Sequence, residues 1–295
     1  MVMHKKIIIL VNGPKTLANL DNLIHALEEK DASIEISTGL ISNVFFQING
    51  DSTHVVESVS GQDISSFDLV VFRAVSRRFA EEALAISIYC DYHHVKYIDS
   101  CVSQSIHKAN KLASMMALWA KGIPVPPTMY GPVEQLAGAI KNIGFPAIFK
   151  ATAATHGTFN YKITSVKEIG EITASEPDKQ FLLQKFIENQ GDYRILVVNG
   201  TGVNVEFRRG NGLTHVNNES AGGTSTLVRD LSGLGYTIDI ARKSAKIIGL
   251  EVAGVDIIID KDNHPFVIEV NRAPQLTSQQ EFAAWADGIL EIING

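Results

Sequence analysis

Two neighbouring runs near the end of the sequence, Val255–Asp260 and Pro265–Asn271, carry the residues best suited to chemistry. Both runs are rich in β-branched residues and are separated by four polar residues, a pattern that predicts a β-hairpin. If those four residues form the loop, Asp256 lies opposite Glu269, and Asn271 lies diagonally beside them. The pattern therefore predicts two carboxylates and one amide on the same face of a hairpin.

This carboxylate pair needs a neutralising partner, because directly opposed carboxylates have Cβ atoms about 5 Å apart and repel each other. A hard divalent cation is one solution, since Mg²⁺ takes one or two protein carboxylates and completes its shell with phosphate oxygens and water. The alternative is a solvated sheet face on which Asp256 and Glu269 merely repel each other. Asp256, Glu269 and Asn271 are therefore candidate metal ligands.

The other face of the predicted hairpin is entirely apolar, which favours a metal site over a solvated sheet face. Its members are Val255, Ile257, Ile259, Phe266, Ile268 and Val270. The same register places Ile258 opposite Val267 and Asp260 opposite Pro265. A slip of one residue would move all of these side chains to the opposite face.

The elements that must position this hairpin begin with a small α/β domain, predicted for residues 1–102. Short apolar runs predict its strands, and apolar residues at helical spacing predict its helices. The strands are Ile7–Val11, Ile34–Ile36, Phe67–Phe72 and Val95–Ile98, and the helices are Glu81–Tyr92 and one through Leu17, Leu20, Leu23, Ile24 and Leu27.

A stiff connector containing Pro124, Pro126 and Pro127 divides the rest of the chain. The elements predicted around it are a helix at Ser103–Lys121, a helix at Val133–Ile143, a strand at Ala147–Lys150, a helix near Ser165–Ala174 and a strand at Phe181–Ile187. A second hairpin, Tyr193–Val198 with Thr201–Phe207, flanks Asn199-Gly200, which is a strong signal for a two-residue turn.

The composition is that of a globular protein with more than one subdomain. With 295 residues, 45% hydrophobic and 20% charged, the chain is long enough for two or three globular subdomains. The net charge of −6 argues against non-specific nucleic-acid binding, and two cysteines cannot form a disulfide framework or a zinc cluster. The sequence has no apolar run that could span a membrane and no signal peptide, so we expect a cytoplasmic protein.

Several segments after residue 103 resemble the ATP-grasp superfamily, and specifically its RimK-like and glutathione-synthetase-like carboxylate–amine ligases. Each segment is weak evidence alone, but their order and spacing are specific. The segments are Lys111–Leu118, Gly122–Thr128, Phe145–Lys150, Phe181–Ile187, Gly191–Arg194, Ala253–Asp256 and Val267–Asn271. The first 100 residues show only the generic α/β pattern of the family's leading domain.

The resemblance implies an ATP-grasp fold of mixed α/β and α+β class, with a leading α/β domain and two α+β subdomains that enclose the nucleotide. The expected divisions are residues 1–102, 103–187 and 188–295. The implied activity is ATP- and Mg²⁺-dependent amide or peptide bond formation through an acyl phosphate, with release of ADP and phosphate. We expect Mn²⁺ to substitute for Mg²⁺, and the partners to be small-molecule or peptide substrates or a protein tail, with oligomer formation left open.

The resemblance also assigns residue roles. Lys111 and Lys150 would contact phosphates, Asp256, Glu269 and Asn271 would bind the metal, and the catalytic candidates Arg208 and Asn218 would stabilise the moving phosphoryl group. The remaining candidates for nucleotide binding are His156 and Gly157 in a phosphate-covering loop, Gln184, Lys185, Phe186 and Ile187 in a hinge beside adenine, and Asp192.

The residues themselves leave alternatives open. Lys150 could be a surface lysine with a buried stem, Lys111 a solvated charge, and Arg208 a cross-strand ion pair. Asp192 and Arg194 could form a structural salt bridge or bind a substrate carboxylate.

Three departures from the family pattern also stand out. The loop at 151–160 keeps a single glycine, Lys185 replaces an acidic residue that many relatives have, and Arg272 follows Asn271 where relatives often have a small residue. The glycine-poor loop motivates one rival function, an ATP-binding regulator or scaffold without catalysis. A third possibility is an ATP-grasp kinase that stops at phosphoryl transfer.

Overall fold

A computed structural model describes residues 4–49, 53–104, 110–152, 158–212, 217 and 222–295. The predicted site residues His156, Gly157 and Asn218 lie outside these described residues. The same holds for residues 105–109 within the predicted helix at Ser103–Lys121.

The first part of the chain alternates strands and helices around two sheets. Its strands are β1 (Lys6–Val11), β2 (Glu35–Leu40), β3 (Val44–Gln47), β4 (His54–Glu57), β5 (Gln62–Asp63), β6 (Leu69–Arg73) and β7 (Lys96–Ile98). Its helices are α1 (Pro14–Leu17), α2 (Asp21–Lys30), α3 (Ala80–His93) and α4 (Cys101–Gln104). Strands β2, β1, β6 and β7 pair in parallel in that order and form the leading sheet.

Both faces of the leading sheet are covered. Ile7 and Ile9 of β1 pack in a different apolar core from Ile8 and Leu10, and all four are fully buried. Because successive strand residues point to opposite faces, a continuous apolar run fits a sheet that is buried on both sides. The antiparallel sheet β3-β4-β5 was not predicted, because its strands are short and carry no long apolar run.

The middle of the chain begins with α5 (Lys111–Trp119), followed by the proline connector. The next elements are β8 (Thr128–Tyr130), α6 (Val133–Ile143), β9 (Ala147–Ala151), β10 (Asn160–Ile163), α7 (Val166–Ser175) and β11 (Phe181–Lys185). Strands β10, β9, β11 and β8 form an antiparallel sheet, and we call residues 128–185 the lid. Helix α6 has the predicted bounds, whereas β11 ends two residues earlier than predicted.

The last part contains β12 (Asp192–Val198), β13 (Thr201–Arg209), β14 (Thr224–Leu227), α8 (Gly235–Ile248), β15 (Val252–Ile259), β16 (Pro265–Asn271) and α9 (Gln279–Asn294). Strands β14, β13, β12, β15 and β16 form the antiparallel carboxylate sheet. Asn199 and Gly200 both have positive φ, 43° and 73°, which confirms the predicted two-residue turn.

Apolar contacts join the carboxylate sheet to the leading sheet but leave the lid with its own core. One buried cluster contains Ile8 together with Val255, and a second contains Ile7 together with Trp285. A third contains only lid residues, among them Phe149 and Leu183. Among the described residues, none of the helices is both long and apolar enough to cross a bilayer.

The register of the last hairpin corrects one prediction and confirms another. Ile259 pairs with Pro265, so the loop has five residues instead of four, and the predicted pairing of Asp260 with Pro265 is wrong. A β-bulge then adds Ile268 on β16, and beyond it Asp256 pairs with Glu269 as predicted.

The bulge also changes which β16 residues reach the core. Val267 is fully buried there opposite Ile257, whereas Phe266 and Ile268 are only half-buried. The predicted pairing of Ile258 with Val267, and the predicted core positions of Phe266 and Ile268, are therefore wrong.

Candidate functional site

The carboxylate sheet arranges charged side chains in a row across its strands. Arg194 on β12 pairs with Glu206 on β13 and with Asp256 on β15, and Asp256 pairs with Glu269 on β16. Asn271 lies opposite Gly254, which is two residues before Asp256 and therefore on the same strand face. Alternation along the strands thus places the metal-ligand candidates on one face.

Asp256 is held by two arginines. Arg194 donates to both of its oxygens, from Nε to Oδ1 at 2.9 Å and from Nη2 to Oδ2 at 3.1 Å. Arg208 Nη2 lies 3.1 Å from Asp256 Oδ2. Bidentate pairing fixes the carboxylate in orientation as well as in charge.

Burial and ion pairing have opposite effects on the pKa of Asp256, which is 4% exposed. Burial raises the pKa of this carboxyl, but the charges of Arg194 and Arg208 outweigh it and hold the pKa below its usual range. Asp256 is therefore ionised at neutral pH, which is the form that a metal ion requires.

Arg208 and Asp192 form a second bidentate pair. Arg208 donates from Nε to Asp192 Oδ1 at 2.7 Å and from Nη2 to Asp192 Oδ2 at 2.9 Å, and both side chains are buried. Burial, together with the nearby Asp256 carboxylate, raises the pKa of Asp192. The structure thus shows the cross-strand ion pair that was one alternative for Arg208 and Asp192, while their roles toward ligands stay predictions.

Asn271 and Lys111 complete the carboxylate cluster. Asn271 Nδ2 donates to Asp256 Oδ2 at 3.1 Å, so the amide oxygen is the atom that can ligate a cation. Lys111, at the first position of α5, places its Nζ 3.2 Å from Glu269 Oε1. Its side chain is 18% exposed, so Lys111 is mostly withdrawn from solvent.

The lid contributes Lys150 to the same place. Lys150 is 7% exposed, which differs from the surface lysine considered above. Burial lowers the pKa of Lys150 to about 8, although the carboxylates of Glu269 and Asp256 oppose this shift. Those carboxylates lie on the carboxylate sheet, so the buried ammonium group faces the cluster from the lid side.

The predicted hinge forms the exit from the lid. Gln184 is buried and its Nε2 donates to Thr128 Oγ1 at 2.8 Å, while the Lys185 N–H donates to the Pro127 carbonyl at 2.9 Å. Lys185 itself is exposed, Phe186 is half-buried and Ile187 is buried. These contacts tie the hinge to the proline connector.

Sequence reasoning missed the contacts that hold the loop after β16. Arg73 Nη2 at the end of β6 donates to the Pro274 carbonyl at 2.7 Å, and its guanidinium lies 4.5 Å from the centre of the Trp285 ring. Arg73 and Pro274 are 201 positions apart. Neither residue has a motif around it, so no local signal could have revealed the contact.

The residues at this site fit a magnesium–nucleotide complex. Two carboxylates and an amide oxygen are ligands that Mg²⁺ accepts, and Lys111 and Lys150 offer positive charge for phosphate oxygens. The facing carboxylates are otherwise neutralised by arginine and lysine side chains, which shows that the site demands compensating positive charge.

Comparison with known proteins identifies the family of this chain. Residues 108–291 match the RimK-like ATP-grasp domain family. A probable alpha-L-glutamate ligase from Syntrophotalea carbinolica is 30% identical over 223 residues, which are 73% of this chain and 72% of the relative. Another, from Trichodesmium erythraeum, is 26% identical and covers 92% of this chain and 89% of its own length.

A solved structure supports the fold. The ATP-grasp ligase PsnB, complexed with a phosphomimetic variant of its minimal precursor, Mg and ADP, superposes with a TM-score of 0.72 at 16% identity, covering 96% of this chain and 97% of PsnB. The fold is therefore ATP-grasp, as predicted. With the family match spanning more than half of its length, the chain belongs to the RimK-like ATP-grasp family and is an ATP-dependent ligase that joins a carboxylate to an amine.

Proposed function

We propose that this ligase binds Mg²⁺·ATP between the lid and the carboxylate sheet and activates a substrate carboxylate as an acyl phosphate. The substrate carboxylate attacks the γ-phosphorus and ADP leaves; an amine then attacks the acyl carbon, giving an amide and inorganic phosphate. The observation that carries the proposal is the convergence of Asp256, Glu269 and Asn271 with Lys111 and Lys150 from other elements.

The main task of the chain is to bring anions together. A carboxylate and a triphosphate repel each other, and positive charges fixed in advance lower the cost of their approach. Lys111 and Lys150 are suited to contact phosphate oxygens, because both are largely withdrawn from water, where charge interactions are stronger.

Asp256, Glu269 and Asn271 would hold Mg²⁺, and we propose that Mn²⁺ can replace it. The ion would neutralise charge on the phosphate oxygens. When it binds, Glu269 can exchange its pairing with Lys111 for the metal, which releases Lys111 toward the phosphates. Arg208 stays fixed by Asp192 and supplies delocalised charge beside the reacting group.

For the substrates, we propose L-glutamate as one component and a small molecule, peptide or protein tail as the other. The curated relatives are named probable alpha-L-glutamate ligases, and the PsnB complex contains a precursor peptide. We further propose a cytoplasmic protein with divisions at 1–102, 103–187 and 188–295. The separate core of the lid supports the part of the middle division that follows the proline connector, whereas Met115 and Leu118 of α5 pack in the core of the other sheets.

The experiment that tests this function is phosphorus NMR of the purified protein with Mg²⁺·ATP, L-glutamate and a pool of amino acids and short peptides. We expect ADP and phosphate to appear only when both substrates are present, and mass spectrometry to show a product joined with loss of one water. D-Glutamate is the matched control for the substrate. Turnover that is equal with D-glutamate, or independent of glutamate, would remove glutamate from the proposal.

The acyl phosphate is tested separately with hydroxylamine in place of the amine. Hydroxylamine attacks an acyl phosphate and gives a hydroxamate with release of phosphate, so we expect a hydroxamate of the carboxylate substrate. A stable phosphorylated product that resists hydroxylamine would instead indicate a kinase. ATP bound without turnover with any pool member would indicate a regulator.

A further inference from the structure

Glu206 on β13 faces the site but has no part in the mechanism proposed above. It lies opposite Arg194 of β12, and Arg194 lies opposite Asp256 of β15. Glu206 therefore continues, by one more strand, the row of side chains that contains the metal-ligand candidates. Neighbouring strands are about 4.8 Å apart, so the backbone at Glu206 lies about 10 Å from the backbone at Asp256.

Glu206 differs from the other carboxylates of this row in its charge partners. Glu269 pairs with Lys111, and Asp256 pairs with two arginines. Arg194 lies opposite Glu206 as well, but it donates from Nε and Nη2 to Asp256. The positive charge nearest along the row is thus already committed to another carboxylate.

The Glu206 carboxylate is held by one hydrogen bond. Its Oε2 accepts from Ser225 Oγ on β14 at 2.9 Å, and the residue is half-buried. Within the part of the chain that the structure describes, no donor reaches Oε1 and no cationic side chain pairs with this carboxylate. Since carboxylates withdrawn from water are normally paired, Glu206 is suited to bind a cationic group of a ligand.

A small cavity lies beside Glu206, between the carboxylate sheet, the loop after β16 and helix α9. Its volume is about 20 Å³, which holds one group the size of a water molecule. An ammonium group has this size. The charge of Arg194 at the cavity is neutralised by its bidentate pair with Asp256. The polar residues that line the cavity are Arg194, Asn204, Glu206, Gln275 and Glu281.

The second carboxylate of the cavity already has its hydrogen bonds. Glu281 Oε2 accepts from the N–H groups of Thr277 and Ser278 at 2.8 and 2.9 Å, and Oε1 accepts from Asn204 Nδ2 at 2.9 Å. Because Asn204 donates through its amide nitrogen, its amide oxygen can accept from a ligand. The cavity therefore presents the Glu206 carboxylate and the Asn204 amide oxygen as acceptors, which suits an ammonium group.

We propose that Glu206 binds the ammonium group of the amine substrate in this cavity and accepts its proton. The inference rests on the proposed function, because the amine must attack the acyl phosphate. An ammonium group has no lone pair, whereas the amine left after one proton moves to Glu206 can attack the acyl carbon. The new carbon–nitrogen bond forms as the bond from that carbon to the phosphate oxygen breaks. One N–H proton stays in the amide, and the other leaves with the phosphate.

The first test separates deprotonation of the amine from formation of the acyl phosphate. The protein is incubated with Mg²⁺·ATP, the pool of amino acids and short peptides, and hydroxylamine, which is largely uncharged at neutral pH and needs no base. Glu206→Gln keeps the side-chain shape and the bond from Ser225 but loses the charge. Mass spectrometry should show amides reduced roughly 100-fold in this variant, without a loss of hydroxamates.

The outcomes distinguish this inference from the proposed function. Hydroxamate made by Glu206→Gln shows that the variant is folded and binds ATP. Glu134→Gln, on the exposed surface of α6, is the control and should change neither product. Equal loss of amides and hydroxamates in Glu206→Gln, or no loss of amides, would overturn the role of Glu206 alone. No hydroxamate from the unmodified protein would refute the acyl phosphate, and this inference with it.

The second test is the pH dependence of the loss. The uncharged fraction of an amine rises about tenfold per pH unit below its own pKa, so the deficit of Glu206→Gln in amide formation should shrink by about that factor. The charged groups that face Glu206 across the cavity are Arg194 and Glu281, which both proteins share, so the comparison cancels their contributions. A deficit that stays constant between about pH 6 and pH 8 would show that Glu206 only shapes the cavity.

Discussion

The lid and the carboxylate sheet face each other across the site but are supported differently. The carboxylate sheet shares its apolar cores with the leading sheet. Asp256 and Glu269 are therefore supported by a large buried core that joins the two sheets. The lid, which carries Lys150, is packed around a separate core. The difference indicates that the lid can move as a unit relative to the sheet that carries the proposed metal ligands.

The largest expected effect is a loss of stability confined to the lid when its separate core is truncated. Phe149 is fully buried and stacks on Phe181 with ring centres 4.7 Å apart. We expect Phe149→Ala to destabilise the lid by about 3–5 kcal/mol, while the carboxylate sheet keeps its protection against hydrogen exchange. Hydrogen-exchange mass spectrometry of both regions measures this. The matched variant outside the lid is Ile257→Ala. In this variant, protection against hydrogen exchange should fall in the leading and carboxylate sheets together. Equal loss in both regions of Phe149→Ala would refute a separate lid.

Among the site residues, the proposed metal ligands should have the largest effect on turnover. Glu269→Gln removes one negative charge from the cluster while keeping the side-chain shape, so we expect kcat to fall roughly 10²–10³-fold. Weaker binding of Mg²⁺·ATP should accompany the loss, as measured by calorimetry. Asp262→Asn, in the exposed loop of the same hairpin, is the control and should keep full turnover. Unchanged kinetics in Glu269→Gln would remove Glu269 from the metal site.

A buried carboxyl should make the stability of the leading domain depend on pH. Burial and the Glu251 carboxylate raise the pKa of Asp99, which is 6% exposed, to about 8. The folded protein thus holds this proton more tightly than the unfolded chain does. The stabilisation is full below the unfolded pKa of about 4 and is lost as pH rises through about 8.

Asp99→Asn imitates the protonated form, so this pH dependence should disappear. Relative to the unmodified protein, the variant should gain up to about 1.4 kcal/mol per pH unit between about pH 5 and pH 7. Urea unfolding at a series of pH values, compared as the difference between the two proteins, is the measurement. Parallel pH curves would show that Asp99 is ionised in the folded state.

The smallest effect is expected at Lys150. Lys150→Met removes the proposed phosphate contact, and we expect about tenfold weaker binding of Mg²⁺·ADP, corresponding to about 1.4 kcal/mol. The thermal midpoint should stay the same or rise, because the variant no longer buries a charge. Lys167→Met, on the exposed surface of α7, should change neither quantity. Unaltered nucleotide affinity in Lys150→Met would leave Lys150 with a structural role only.

Local patterns predicted the elements that depend on neighbouring residues. Helix α6 follows from its apolar spacing, and the Asn199-Gly200 turn follows from the need for positive φ at both positions. The small sheet β3-β4-β5 was missed, because its short strands are stabilised by packing on the leading domain. The bulge at Ile268 was also missed, since it depends on which residue fits the core.

The sequence alone determined which residue types could bind a metal ion. The pairing of Asp256 with Glu269 holds because the bulge at Ile268 offsets the extra residue in the loop. Only the tertiary structure decided how these groups are held. Arg194 reaches Asp256 from 62 positions away, and Lys150 comes from a separately packed lid. Such contacts depend on how sheets pack against each other, and burial then sets the charge states. Neither the packing of the sheets nor the charge states can be read from the spacing of residues along the chain.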